Sequence, residues 1–378
     1  MAERGGAAMD VDLLVRDAEV AHGEHGDAGE RLVDFEQVDV IDAPAGLLQR
    51  LLDRAGGRDG ELGRLPGMGG AGDDPRHRLQ SLGVGIGLRR ENIDELLAKR
   101  PKEIQCLEIA PENYLHTGGK LYRKFRELKE IYPIVAHGLS LSLGSLAPLK
   151  KDFLKDLKAF LREHNFPWMS DHLCYSSVLG HEFHDLLPLP FTAEAVAHVV
   201  PRIRQIQDYL EMPFAIENVS YYAAPVNPSA APEMPEWEFL AEVAARADCS
   251  LLLDVNNIYV NSVNHGFDPI QYIRSIPLER VLHMHLAGHV EYQGFLLDNH
   301  GAAIIDPVWR LLEEAAKGVK PAAVIIERDH RMPPLEDLVE EVKAAHDILQ
   351  AKAKRPAAAG GAATVSVPSA EHAFGYQL

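Results

Sequence analysis

The sequence predicts an α/β fold in which eight parallel strands close into a (β/α)8 TIM barrel. A short apolar segment, a polar turn and a helix-like stretch recur in that order eight times between residues 82 and 353. Eight such units in about 270 residues match the size of this barrel, whereas a doubly wound sheet more often has fewer strands. Nearly every predicted strand also begins apolar and ends polar, which is typical of barrel strands that lead into a site.

The predicted strands are short and rich in β-branched or other apolar residues. Polar or glycine-containing flanks separate them from the helices that follow. In chain order they cover residues 83–88, 105–110, 133–138, 167–173, 214–220, 250–257, 280–288 and 322–329.

The predicted helices have apolar residues spaced three and four apart, the pattern of a helix that buries one face. Several begin with a capping residue or an acid in the first turn, such as Thr192, Asp268 and Asp306. In chain order the helices cover residues 91–100, 120–131, 151–164, 192–211, 235–247, 268–276, 306–318 and 334–353.

The chain divides by composition into a barrel and two extensions. Residues 1–80 contain nine arginines, 17 acids and 14 of the 30 glycines, so they are predicted to form an acidic, largely flexible extension with one helix that ends at Gly56. Residues 81–353 form the predicted metal-binding barrel. Residues 354–378 are rich in small residues and are predicted to form a flexible tail.

The overall charge argues against a nucleic-acid partner. The 378 residues include 38 Lys and Arg against 56 Asp and Glu, for a formal net charge of -18, and a phosphate backbone requires the opposite sign. No apolar run is long enough to span a membrane and no export signal is visible, so a cytoplasmic protein without a membrane partner is expected. The three cysteines are widely spaced, which predicts buried, reduced thiols.

Polar side chains gather at the predicted carboxyl ends of the strands. Because these ends meet at one mouth of a barrel, so many carboxylates and imidazoles would repel one another or remain desolvated unless a cation neutralised them. The residues concerned are Glu108, His137, Asp171, His172, Glu217, Asn218, Asp254, Asn256, Asn257, His283, His285, Glu327 and Asp329.

The donor types indicate a transition-metal site. A mixture of imidazole and carboxylate donors without convergent thiolates suits Fe, Mn or Zn, whereas Mg or Ca sites are nearly all oxygen. The candidates outnumber the ligands that one ion accepts, so more than one ion is predicted, and Glu217 is a candidate bridge between two. The loop after the seventh strand adds His289 and a chelating pair, Asp298 and His300.

The strand-end motifs, taken as an ordered set, resemble one known family. The motifs are GVGIGLR, LEIAPENY, AHGLSLSLG, SDHLCY, IENVSYY, LDVNNIYVNSVNHGFDP, HLAGH, LLDNH and IIERD, over residues 83–329. They are similar to those of the multinuclear non-haem iron-dependent oxidative enzymes, also known as domain-of-unknown-function family 692, which includes the methanobactin oxazolone-forming enzyme. The resemblance covers roughly two-thirds of the chain.

This resemblance implies a fold, a reaction and partners. Family members have a xylose-isomerase-like TIM barrel, hold two or three irons and use O2 to modify cysteine residues of ribosomally made precursor peptides, generally with a separate peptide-binding partner protein. Carried over motif by motif, it implies that the iron ligands are His137, His172, Glu217, Asp254, His285, Asp298, His300 and Glu327. It implies that Asp171, Asn257 and His289 orient these ligands or face the substrate as catalytic groups.

Two features lie outside the resemblance, and two other functions remain open. His283 precedes the HLAGH motif without belonging to it, and the extensions match no motif. A xylose-isomerase-like isomerase or hydrolase that uses Zn or Mn would show activity without oxygen. A non-catalytic metal- or peptide-binding barrel would bind metal but consume no oxygen with a thiol peptide.

Overall fold

The computed structural model describes residues 79–178, 181–223 and 234–353. Nearly all of the acidic extension, with its predicted helix ending at Gly56, lies outside these residues, as does the C-terminal tail. The predictions for both extensions therefore stay untested.

Eight parallel strands close into the predicted barrel. Neighbours around the barrel follow the chain order, and the last barrel strand pairs with the first to complete the closure. The strands are β1 (Gly83–Gly87), β2 (Cys106–Ile109), β3 (Ile134–Gly138), β4 (Met169–His172), β7 (Phe214–Glu217), β8 (Ser250–Asp254), β9 (Val281–Leu286) and β12 (Ala323–Ile326).

The helices alternate with the strands, as in other barrels of this class. Thr192 and Asp268 cap their helices as predicted, because each side chain accepts a hydrogen bond from a backbone N–H of the first turn. The helices are α1 (Ile93–Lys99), α2 (Gly119–Lys129), α3 (Lys151–Glu163), α4 (Ala193–Leu210), α5 (Glu236–Ala247), α6 (Val255–His265), α7 (Pro269–Ser275), α8 (Asp306–Ala316) and α9 (Leu335–Ala353).

The eight predicted barrel strands are confirmed, but the prediction extended most of them too far at the carboxyl end. The clearest case is β8, which was expected to reach residue 257 and ends at Asp254, because that carboxylate caps helix α6. Helix α6 and two antiparallel hairpins were not predicted. The hairpins are β5 (Cys174–Val178) with β6 (His181–Pro188), and β10 (Val290–Tyr292) with β11 (Phe295–Leu297).

A plug of mainly apolar side chains fills the amino-terminal half of the barrel interior. Its members pack together and are buried, and they include Cys106, Val135, Trp168, Ala215, Leu252 and Ile325. Because successive side chains of a strand point to opposite faces, the residue two positions further along shares the interior face. Those residues are Glu108, His137, Ser170, Glu217, Asp254 and Glu327.

Cys106, Cys174 and Cys249 are free and buried, as the sequence predicted. Among the described residues, no helix has the length and apolar character needed to cross a bilayer.

We expect Gly85→Ala to destabilise the barrel. A Cβ at Gly85 would lie 2.0 Å from the backbone carbonyl oxygen of Cys106 on the paired strand, which cannot rotate away. Overpacking of this kind costs about 1–3 kcal/mol or more. Denaturant unfolding monitored by circular dichroism should show this loss of unfolding free energy.

Gly118→Ala provides the matched control, because a Cβ at Gly118 meets no heavy atom within 4 Å. Equal unfolding free energies for the two variants would contradict this expectation, because they would show that β1 and β2 can move apart without loss of stability.

Candidate metal centre

Three donor atoms from three neighbouring strands converge at the carboxyl end of the barrel. The Nε2 atoms of His137 and His172 are 3.1 Å apart, and Glu217 Oε2 lies 3.0 Å from the first and 3.1 Å from the second. All three side chains are buried. We refer to His137, His172 and Glu217 as the first donor group.

The spacing of the first donor group matches ligands of one ion. Two atoms that each lie about 2.1 Å from an ion, at right angles to one another, are about 3.0 Å apart. Glu217 Oε2 makes no well-formed hydrogen bond with any described residue, although it approaches two imidazoles closely. The geometry therefore suits a shared cation better than a hydrogen-bonded network.

A second donor group lies beside the first and consists of Glu217, Asp254, His285 and Glu327. His285 Nδ1 is 3.2 Å from Glu217 Oε1 and 3.0 Å from Glu327 Oε2, and Asp254 offers a further oxygen within 4.8 Å of these atoms. Glu217 thus presents Oε2 to the first group and Oε1 to the second. This is the arrangement expected of a carboxylate that bridges two ions.

Asp298 and His300 form a third set of donors after strand β11. His300 Nε2 lies 2.8 Å from Asp298 Oδ1, so the structure brings together the chelating pair that the sequence predicted. The other ring nitrogen, Nδ1, is 2.8 Å from Asp329 Oδ2, and Asp329 in turn accepts a hydrogen bond from Arg89. Arg89 and Asp329 therefore hold the His300 ring so that Nε2 faces Asp298.

Asn256 connects His289 to this third set. Its amide nitrogen donates to Asp298 Oδ1 at 2.8 Å, so its amide oxygen is the acceptor in the 2.7 Å contact with His289 Nδ1. His289 must then carry its proton on Nδ1, which leaves Nε2 as a proton acceptor. Burial lowers the pKa of His289, which keeps the imidazole neutral.

Asp171 and Asn257 are buried close to the donor groups and bond to the backbone. Asp171 accepts hydrogen bonds from the backbone N–H groups of Leu141 and His172, so it fixes the loop after β3 and the end of β4. Asn257 donates to the carbonyl oxygen of Asn218, and its own N–H donates to Asp254 Oδ1. Both residues therefore support the strand ends that carry the donors.

Glu108 and His283 were predicted to converge with the other polar strand ends, but neither was predicted as a ligand or a catalytic group. Both lie inside the barrel, and Glu108 Oε2 is 3.1 Å from His283 Nε2 while Glu108 Oε1 is 3.0 Å from His285 Nε2. The signal was present in the sequence, because Glu108 follows Cys106, and His283 precedes His285, by two positions on the same interior face.

The electrostatics of the centre show how strongly the groups compete for positive charge. Burial and the nearby carboxylates of Asp298 and Glu217 raise the pKa of Asp254 well above its usual value. Burial opposes protonation of His285, but the carboxylates of Glu108, Glu327 and Glu217 raise its pKa well above the usual value. By contrast, burial lowers the pKa of His172 to about 4.

The residues present fit bound transition-metal ions. Several buried donor atoms make no hydrogen bond within the described residues, among them Asp254 Oδ2, Glu217 Oε2 and His300 Nε2. Such atoms are costly to bury without a partner. The donors are imidazole nitrogens and carboxylate oxygens, the set that suits Fe, Mn or Zn.

Comparison with known proteins identifies the family. A family model described as "RiPP precursor modification enzyme MbnB/TglH/ChrH" matches residues 83–350, which include all three sets of donors. The chain belongs to this family. Its members are enzymes that modify precursors of ribosomally synthesised and post-translationally modified peptides, so the family implies a precursor peptide as substrate.

Curated relatives match about 70% of the chain. The UPF0276 protein of Shewanella sediminis is 49% identical over 267 residues, which are 70% of this chain and 93% of that protein. The Caulobacter vibrioides relative of the same name is 43% identical over 263 residues, 70% of this chain and 92% of that protein.

Two solved structures are similar at low sequence identity. A xylose isomerase domain protein from Planctomyces limnophilus has a TM-score of 0.48 at 12% identity, over 73% of this chain and 100% of that one. Endonuclease IV from Thermus thermophilus has a TM-score of 0.46 at 17% identity, over 71% and 99%.

Chelator-treated protein should lose stability as pH rises from about 6.5 to about 9. Burial opposes protonation of His137, but Glu217 raises its pKa to about 9, so the folded chain holds a proton there that the unfolded chain releases near pH 6.5. A bound ion would occupy the same nitrogen and remove this loss. The gap in Tm between metal-loaded and chelator-treated protein should therefore widen across this range, as measured by scanning fluorimetry.

A constant gap would contradict this expectation. Burial and Glu112 raise the pKa of Asp171 to about 8, so Asp171 adds a decline of the same sign. Because positive charge at His137 lowers the pKa of Asp171, a bound ion would also reduce this decline, so it widens the gap in the same direction.

Glu217→Ala should remove ions from both donor groups, because one oxygen of Glu217 serves each group. His172→Ala should lower the metal content at the first group only. Metal per chain, measured by plasma mass spectrometry after gel filtration, distinguishes the two results. Loss of a single equivalent from the Glu217 variant would argue against a bridging carboxylate.

Proposed function

We propose that this chain is an iron-dependent oxidoreductase that uses O2 to modify cysteine residues of a ribosomally synthesised precursor peptide. The family assignment supports the peptide-modifying part of this proposal. The observation that carries the metal-dependent part is the position of Glu217, whose two carboxylate oxygens belong to two adjacent donor groups. We expect the centre to hold two or three ions.

The proposed iron ligands are those that the sequence resemblance implies. His137, His172 and Glu217 would hold one ion, and Glu217, Asp254, His285 and Glu327 a second. Asp298 and His300 would contribute to a third. Iron suits a mixed nitrogen and oxygen donor set with positions left open, and when bound it supplies the one-electron chemistry that O2 activation requires.

The protein's own contribution is to orient donors and exclude water. His137, His285 and Glu217 are buried, so their charges act in a medium of low dielectric constant. Asp171 holds the loop after β3, and Asn257 helps to hold the end of β7 against β8. These contacts keep the donor atoms within the narrow range of positions that catalysis requires.

His289 is the proposed proton acceptor for the substrate thiol. Its Nδ1–H is directed to Asn256, so Nε2 carries the lone pair. A neutral imidazole near the centre can take the proton from a cysteine as the thiolate forms. The precursor peptide would reach the centre from the side of the barrel where the strands end, with a separate peptide-binding partner protein presenting it.

The proposal predicts iron in anaerobically purified protein and thiol-dependent oxygen consumption. Mössbauer spectroscopy should show exchange-coupled iron, and an oxygen electrode should record uptake with a cysteine-containing precursor peptide. The same peptide with serine in place of cysteine is the matched control, since it keeps size and polarity but lacks the thiol.

Two outcomes would replace this proposal. Stoichiometric zinc or manganese with turnover of a sugar in the absence of O2 would indicate an isomerase or hydrolase. Bound metal with no oxygen uptake on any thiol peptide would indicate a binding protein.

A further inference from the structure

A carboxylate lies directly beneath the second donor group. Glu108 on β2 is fully enclosed and contacts two imidazoles of β9, with Oε1 3.0 Å from His285 Nε2 and Oε2 3.1 Å from His283 Nε2. Oε2 also lies within hydrogen-bond distance of His285 Nε2, at 3.1 Å. His285 therefore has a carboxylate on each side of its ring.

The two nitrogens of His285 face different surroundings. Nδ1 faces Glu217 and Glu327, whereas Nε2 faces Glu108. A neutral imidazole has one lone pair and one N–H, so only one of its nitrogens can bind a metal. The hydrogen bond made by the other nitrogen decides which one it is.

We propose that Glu108 is a positioning residue that holds the proton of His285 on Nε2 and so directs the Nδ1 lone pair to the metal shared with Glu217, Asp254 and Glu327. This inference rests on the proposed metal centre. It assigns to Glu108 the role of the carboxylate that commonly orients a metal-binding histidine.

The surroundings of Glu108 support this assignment. Nδ1 shares its side with three carboxylates, including Asp254, whose Oδ2 has no hydrogen bond among the described residues. If a second ion also bound Glu108, His283 and His285 Nε2, His285 would have to lose both ring protons. A neutral ring with its proton directed to Glu108 avoids that cost.

His283 lies between the apolar plug and Glu108. It is completely buried, and its ring meets the indole of Trp168 edge to face, with centroids 5.9 Å apart and an interplanar angle of 67°. The Trp168 indole belongs to the apolar plug, so the plug positions His283, whose Nε2 lies 3.1 Å from the second oxygen of Glu108. The orientation of one donor is thereby tied to the packed core.

The test is Co²⁺ binding to metal-free full-length protein, followed by the visible d–d spectrum. Glu108→Met keeps the volume of the side chain but removes the acceptor, and Glu108→Gln keeps an acceptor oxygen. We expect Glu108→Met to weaken binding at the second donor group by about 10–100-fold. The first donor group should still bind Co²⁺, and Glu108→Gln should recover most of the lost affinity.

Glu236→Gln is the control for replacing a buried carboxylate. Glu236 accepts a hydrogen bond from Tyr272 and contacts none of the metal donors, and burial raises its pKa to about 7, so a neutral amide suits the site. Its Co²⁺ affinities and spectrum should match those of the unmodified protein. Circular dichroism of all variants shows whether each is folded.

Unchanged Co²⁺ affinity and spectrum in Glu108→Met would overturn the inference, as would a loaded structure with an ion bound to Glu108 itself. Failure of Glu108→Gln to restore binding beyond the level of Glu108→Met would also overturn it. Because Co²⁺ binding requires neither iron nor O2, these results do not depend on the oxidative reaction. An inactive protein that still shows the Glu108 dependence would contradict only the proposed function.

Discussion

The need to neutralise buried negative charge governs the centre of this barrel. Glu108, Glu217, Asp254 and Glu327 project into one small interior layer, and Arg89, which reaches this region, is already paired with Asp329. Protons on the neighbouring imidazoles offer partial compensation, as the raised pKa values of His137 and His285 indicate. Bound metal ions would compete with protons for the same atoms and would satisfy more donors at once.

The two-residue alternation of β-strands places this layer. Positions such as Val135, Ala215 and Leu252 close the lower barrel with apolar contacts, and the next interior positions on the same strands are His137, Glu217 and Asp254. The same two-residue alternation therefore produces both the apolar plug and the layer of donor side chains next to it. The strand ends also carry capping functions, since Asp254 begins helix α6 with one oxygen and leaves the other for the centre.

Much of the barrel and the donor set could be predicted from the sequence, because both depend on patterns of apolar and polar residues within single strands. Apolar segments of four to six residues revealed β3 and β9, and polar strand ends revealed His137 and Glu217. Contacts that depend on closure of the barrel could not be predicted. Glu108 and His285 are 177 residues apart, and their pairing depends on the register of several strands. The hairpin between His289 and Asp298 was missed because its strands have only three residues each.

The shared carboxylate of Glu217 makes the two donor groups thermodynamically interdependent. An ion in the first group would restrain the side-chain torsions of Glu217, so a second ion would meet a donor that has already lost its rotational freedom. Filling one group would therefore raise the affinity of the other, although each group would still bind an ion alone. By reciprocity, departure of either ion would lower the affinity for its neighbour by the same factor.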